Sequence, residues 1–131
     1  MNTPYQTILM DHYKYPRNRR LLIDADFSGQ QENVHCGDRV RFAGRVCAQE
    51  QRLLQLAFEG TGCVLSQAIA SIISEKFTNA FLHAVIELDE LAYIEGLVGS
   101  SLGPTRLKCA LLSLEALRSG IVLYQQHRKN L

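Results

Sequence analysis

A chain of 131 residues, 47% of them hydrophobic, is sized for one compact unit over residues 1–131 with a core of its own. Fourteen Lys and Arg stand against thirteen Asp and Glu, a net charge of +1, which argues against a nucleic-acid binder driven by phosphate contacts. Apolar runs are too short for a membrane-spanning helix, and residues 1–22, MNTPYQTILMDHYKYPRNRRLL, have no signal-peptide pattern, so a cytoplasmic location is expected.

Residues 3–14 read as a short helix with Ile8 and Leu9 inward, ended by Pro16, because the residue before a proline avoids the α region. Residues 17–35 read as irregular, with one short edge strand near Ala25–Phe27. Asp38 to Ala48 then alternates. Val40, Phe42, Val46 and Ala48 face one way, and Arg39, Arg41, Arg45 and Cys47 the other, as in a half-buried strand. Gly44 on the apolar face marks a candidate bulge. After a turn at Gln49–Arg52, Leu54, Leu56 and Phe58 predict the inward side of a second strand, antiparallel to the first. Gly60, Thr61 and Gly62 break it.

Cys63 to Phe77 predicts a helix with a wide apolar stripe of Leu65, Ala68, Ile69, Ile72, Ile73 and Phe77. Thr78 to Glu95 holds one or two shorter helices, and the glycine-rich stretch to Pro104 is a connection. The last helix runs from about Thr105 to His127, with Leu107, Ala110, Leu111, Leu114, Leu117 and Ile121 buried. His127, Arg128 and Lys129 suit the negative pole at its end. Helix, strands, then helices make an α+β class with a small antiparallel sheet.

The chemistry candidates are cysteines at element boundaries. In a reducing compartment thiols serve metals or catalysis more often than disulfides. In Cys36-Gly37-Asp38, the glycine permits a tight turn between a thiol and a carboxylate at the mouth of a strand. Cys63 falls at a helix N-terminus, where the dipole and free N–H groups favour a thiolate. Cys109 falls in the first turns of the last helix. Three thiolates and one carboxylate would complete a tetrahedral Zn²⁺ site or hold a small iron–sulfur cluster. Each residue also has a bland reading, as turn or core. Cys47, on the arginine-bearing strand face, reads as structural. His35 could lend a nitrogen ligand beside Cys36, whereas His12, His83 and His127 read as ordinary helix residues. Lys108 could pair with Asp38 or attract an anionic sulfur species.

Taken together these segments resemble the iron–sulfur scaffold proteins of the IscU, SufU and NifU N-terminal type, nearly end to end. Asp11-His12-Tyr13 with Pro16-Arg17-Asn18 looks like the family's opening motif. Cys36-Gly37-Asp38, Gly60-Thr61-Gly62-Cys63 and Leu107-Lys108-Cys109-Ala110-Leu111 follow in the family's order. The resemblance implies a three-stranded antiparallel sheet with helices on one face. It implies a site of Cys36, Asp38, Cys63 and Cys109, with Cys109 a candidate persulfide acceptor beside Cys63 and Cys36. It further implies a scaffold or sulfur carrier rather than a catalyst. Such a protein takes sulfur from a cysteine desulfurase, binds iron, builds a transient [2Fe-2S] cluster and passes it to apo-proteins or carrier proteins. Zn²⁺ is the alternative occupant, in a SufU-like sulfur acceptor that stimulates a desulfurase. A degenerate regulatory or interaction member is the remaining alternative. Lys108 precedes the third cysteine as in SufU-type proteins, where the IscU branch has His. Leu102-Gly103-Pro104-Thr105-Arg106 replaces the stretch that an Hsp70-type chaperone reads in the IscU branch, which argues against that partner.

Overall fold

The computed structural model describes residues 3–129. Its elements run α1 (Pro4–Lys14), β1 (Phe27–Asn33), β2 (Asp38–Cys47), β3 (Arg52–Thr61), α2 (Val64–Phe77), α3 (Leu82–Ile86), α4 (Glu90–Val98) and α5 (Pro104–Lys129). The strands form one antiparallel sheet in the order β1-β2-β3, and α2 and α5 pack on it. This is the α+β arrangement expected. Among the described residues no helix is long and apolar enough to cross a membrane.

The core lies between sheet and helices. Phe42, Leu53, Leu56 and Phe58 from the strands join Ile69 and Ile73 of α2 and Leu114, Leu117 and Ile121 of α5 in one buried cluster. Fully burying each such side chain contributes roughly 1.5–3 kcal/mol. Arg118 ties the short helices to α5: its guanidinium donates to the carbonyls of Val85 (3.0 Å), Ile86 (2.8 Å) and Leu88 and pairs with Glu90 at 2.6 Å. The end of α3 thereby gains partners for carbonyls that the helix leaves free.

Strand β1 is longer than the expected edge strand near Ala25–Phe27. Its sequence, FSGQQEN, has one large apolar residue, so no alternation announces it. Phe27 and Gly29 are the buried positions, and the glycine is there for closeness. A Cβ on Gly29 would run into the Ala116 carbonyl and the Gly120 amide of α5. A Cβ on Gly120 would stand 2.8 Å from Phe27 Cδ2 and 3.0 Å from the Gly29 nitrogen. Helix and strand therefore cross almost backbone to backbone.

The hairpin of β2 and β3 differs in detail from expectation. The register shifts at Arg45/Val46, where Gln55 pairs with Arg45 and Leu53 with Val46, leaving Leu54 as the extra residue. Leu54 is thus turned out and Leu53 is buried in its place. Gly44 is not the bulge; the Phe27 ring occupies the space its side chain would fill. Ala48 is exposed in the turn, and β3 continues through Gly60 to Thr61.

Helix α1 is held by polar groups more than by its apolar ones, for Ile8 is 52% exposed. His12, expected to be an ordinary helix residue, is buried, with Nδ1 2.8 Å from Ser71 Oγ. The same oxygen accepts the Arg17 amide at 2.8 Å, so the Ser71 proton is left for a neutral imidazole. Arg17 pairs with Asp11 at 2.6 Å, and Asn18 donates to Ser74 Oγ at 3.2 Å. The Asp-His…Pro-Arg-Asn motif is therefore the latch between α1 and α2.

Two outcomes follow. Gly120→Ala should lower stability by about 1–3 kcal/mol through overpacking, read by urea unfolding. Burial, then the Arg17 charge, lowers the His12 pKa below its ordinary 6.5 against weaker opposing pulls from Glu75 and Asp11. The unfolded chain then binds the proton more readily. This share of stability is complete above the unfolded pKa and is lost as pH falls through the lowered folded one. His12→Gln should flatten that part of the stability–pH curve.

Candidate metal centre

Antiparallel register brings the ends of all three strands to one edge. Asn33 at the end of β1 pairs with Asp38 at the start of β2, and Arg39 pairs with Thr61 at the end of β3. The β1–β2 turn carries Cys36. It is closed by the Cys36 amide to the Asn33 carbonyl at 3.2 Å and the Gly37 amide to the Val34 carbonyl at 3.3 Å. Gly37 takes φ 69°, which a side chain would resist.

Cys63 is the N-cap of α2, and its Sγ accepts the Ser66 amide at 3.5 Å. Cys109 lies in the second turn of α5, 5% exposed. It shares a buried helix face with Ser113, four residues on.

Asp38 joins these parts. It is 2% exposed. Its Oδ1 accepts the Cys63 amide at 2.8 Å and the Ser66 hydroxyl at 3.2 Å, so the carboxylate caps one of the free N–H groups at the start of α2. Gly62 makes the approach possible: φ is 143°, and a Cβ there would strike Asp38 Oδ1. Asp38 Oδ2 is buried with no hydrogen-bond partner. Burial alone would raise the Asp38 pKa, but the neighbouring Cys109 thiol, then Cys63 with its amide, and the Ser66 hydroxyl bring it below the ordinary carboxylate value. The Cys109 thiol is pushed up, first by burial, then by the neighbouring Asp38 and Cys36 side chains and the charges of Asp38 and Cys63.

One ligand atom each of Cys36, Asp38 and Cys109 lies within 4.8 Å of the others. Sulfurs about 2.3 Å from a tetrahedral zinc stand about 3.8 Å apart, so the three donors are close to ligand spacing. Two thiols, a carboxylate oxygen buried without a partner and a further thiol nearby fit a divalent metal ion or a small iron–sulfur cluster. Cys63 does not share the mutual spacing; its sulfur is turned to the Ser66 amide. It nevertheless lines, with Cys36, Cys109, Val64, Leu65, Thr105 and Arg106, an open concavity of about 390 Å³.

The remaining candidates divide clearly. Cys47 closes β2 at the end opposite Asp38, roughly 30 Å along the strand, and its thiol donates to Glu50. His35 is exposed in the turn and is not in the ligand-spaced group. With Asn33, Cys36 and Lys108 it borders a pocket of about 180 Å³. Lys108 makes no ion pair with Asp38 among the described residues; both Asp38 oxygens are buried and Lys108 is exposed.

Two residues at the site carry only weak signals in the sequence. Asn33 Nδ2 lies 3.7 Å from Cys109 Sγ, a contact that the strand register creates. Ser66 bonds Asp38 from three residues after Cys63, the spacing of a helix cap and its partner.

Residues 4–131 match the family described as NifU-like N terminal domain. The chain is 31% identical to the zinc-dependent sulfurtransferase SufU of Bacillus subtilis, over 92% of this chain and 91% of that one. It is 30% identical to the iron–sulfur cluster assembly scaffold protein IscU of Aquifex aeolicus, over 95% of this chain and 78% of that one. The SufU alignment spans 137 residues, longer than this chain, so the relative carries extra residues inside it. Among solved structures, the putative SUF-system scaffold of Fervidobacterium islandicum superposes with a TM-score of 0.74 at 20% identity, covering 92% of this chain and 96% of that one. The N-terminal NifU-like protein of Brucella abortus gives a TM-score of 0.76 at 16% identity, covering 93% and 94%. These two share the fold.

Gly62→Ala should push Asp38 off the α2 N-terminus and weaken zinc binding roughly tenfold or more, the usual scale for a disturbed ligand support. Competition against a chromogenic chelator measures it.

Proposed function

The chain belongs to the NifU-like N-terminal domain family, and on that premise we propose that it is an iron–sulfur cluster assembly scaffold. It takes sulfur from a cysteine desulfurase, gathers iron and sulfur into a transient [2Fe-2S] cluster, with ferrous iron and an external reductant supplying the two electrons that turn each transferred sulfur into sulfide, and hands the cluster to apo-proteins or carriers. The ligands of this reading are Cys36, Asp38, Cys63 and Cys109. The observation that supports it is the ligand-spaced group of Cys36, Asp38 and Cys109, within 4.8 Å of one another, in which the buried Asp38 keeps Oδ2 without a hydrogen-bond partner. A mixed set of this kind suits cargo that must leave, because a carboxylate is a harder, more readily displaced ligand for such metals than a thiolate.

Sulfur transfer needs a thiolate on this chain to attack the outer sulfur of the desulfurase persulfide. The new S–S bond forms on the acceptor as the donor's S–S bond breaks, and the donor cysteine leaves as thiolate. Exposure supports Cys36 or Cys63 over Cys109 as first acceptor, and the nearby Lys108 favours Cys36. Cys36 sits on the open turn, whereas Cys109, the expected acceptor, is 5% exposed. The Lys108 ammonium beside Cys36 would favour an anionic persulfide. Asp38 stays ionised on its helix-capping bonds and contributes a charge without a proton to shed.

A second reading has its own support. The similarity to a zinc-dependent sulfurtransferase extends over nearly the full length of both chains, and Lys108 flanks the site. In that reading Zn²⁺ occupies the ligands and the chain accepts sulfur for onward delivery.

One preparation separates the two. Anaerobic incubation with ferrous iron, cysteine and a desulfurase should give visible cluster absorption with acid-labile sulfide, both lost in Cys36→Ser. Retained zinc without acid-labile sulfide, together with desulfurase turnover that rises on adding the protein, would instead establish the sulfur acceptor.

A further inference from the structure

Ser66 is completely buried, yet it touches both ligand-bearing segments around the start of α2. Its hydroxyl stands 3.2 Å from Asp38 Oδ1 and 3.2 Å from the Cys63 carbonyl, and its amide reaches Cys63 Sγ at 3.5 Å. A serine hydroxyl has one proton to give. Gln67 Nε2, 3.1 Å away, donates to the oxygen and leaves that proton for an acceptor. Of the two acceptors the carboxylate is the stronger, since hydrogen bonds to an ionised partner are roughly twice as strong as neutral ones.

We propose that Ser66 is a positioning residue for the metal centre: it holds Asp38 by Oδ1, which leaves the unpaired Oδ2 free to ligate a metal ion together with Cys36 and Cys109. The inference rests on the reading of these residues as a metal or cluster site. Two donors, the Cys63 amide and the Ser66 hydroxyl, fix Oδ1 against α2 from different directions. With both in place the carboxylate cannot turn about its Cβ–Cγ bond, and Oδ2 is left unpaired and buried. With the hydroxyl removed a single bond remains, and the carboxylate regains that rotation. Ser113 offers the contrast: its hydroxyl is buried too and donates to the Ser66 backbone carbonyl at 3.0 Å, a bond that does not touch the carboxylate.

The test uses Co²⁺ as a spectroscopic probe on the full-length apo-protein, with Ser66→Ala and Ser113→Ala side by side. Each deletes one buried hydroxyl, but only Ser66→Ala removes a bond to the carboxylate. Wild type should show thiolate-to-cobalt charge-transfer bands and intense tetrahedral ligand-field bands. Ser66→Ala should bind Co²⁺ roughly tenfold more weakly, with weakened or shifted ligand-field bands, while Ser113→Ala keeps the wild-type spectrum and affinity. Thermal unfolding of both apo-variants reports what each hydroxyl does for the fold alone. A Ser66→Ala spectrum and affinity equal to wild type would overturn the proposal, as would equal losses in both variants. Wild type that binds no cobalt through thiolates would overturn the site reading itself, a separate outcome.

Discussion

The near-contact of backbone with backbone between Gly29 of β1 and Gly120 of α5 sets where everything else can stand. Helices and sheets pack at distances fixed by the side chains between them. Here the side chains are absent at the crossing, so α5 settles directly onto the strand. Cys109 lies eleven residues before Gly120 on the same helix, roughly 16 Å along it. A continuous helix of 26 residues anchored at such a point acts as an arm. Lifting it at the crossing would carry Cys109 away from the strand ends. The sulfur that faces Asp38 is thus placed by two residues that have no chemistry of their own.

Asp38 is the second point of economy. A buried carboxylate needs partners for its charge, and half of that need is met by the free N–H of a helix start. Its other oxygen is unpaired, in a residue that lies within ligand spacing of two thiols. Structural and chemical duty are divided between the two oxygens of one side chain. The glycine that lets the carboxylate come so close, Gly62, belongs to the segment that also delivers Cys63. Motif and geometry coincide there because a strand, a turn and a helix cap are packed into Gly60 to Cys63.

How far the molecule could be read in advance follows from where its signals lie. Helices α2 and α5 and strand β2 announce themselves because their buried faces are apolar at regular spacing. Strand β1 does not, because beyond Phe27 its inward positions are Gly29, Gln31 and Asn33, none of them apolar side chains. The Leu53/Leu54 exchange was hidden since a bulge inverts which leucine faces in, and both are leucines. His12 gave no sign of burial, for its partner Ser71 lies 59 residues away. The cysteines and Asp38 were legible from chain order and from their places at element ends. That Cys63 faces its own helix, rather than the other three, depends on a side-chain rotation that spacing does not encode. Asn33 and Ser66 act through register and capping, which become visible only when the partner strand or helix is in place.

The candidate donors at positions 36, 38, 63 and 109 are scattered over more than half of the chain. Anything bound by all of them closes long loops, and so behaves as a cross-link as well as a ligand. Most small metal proteins draw their stability from such a link and unfold when it is cut. A carrier cannot, since its working cycle cuts the link at each delivery. The continuous core beneath the site, drawn from all three strands and the two long helices, gives this chain a source of stability that does not depend on such a link.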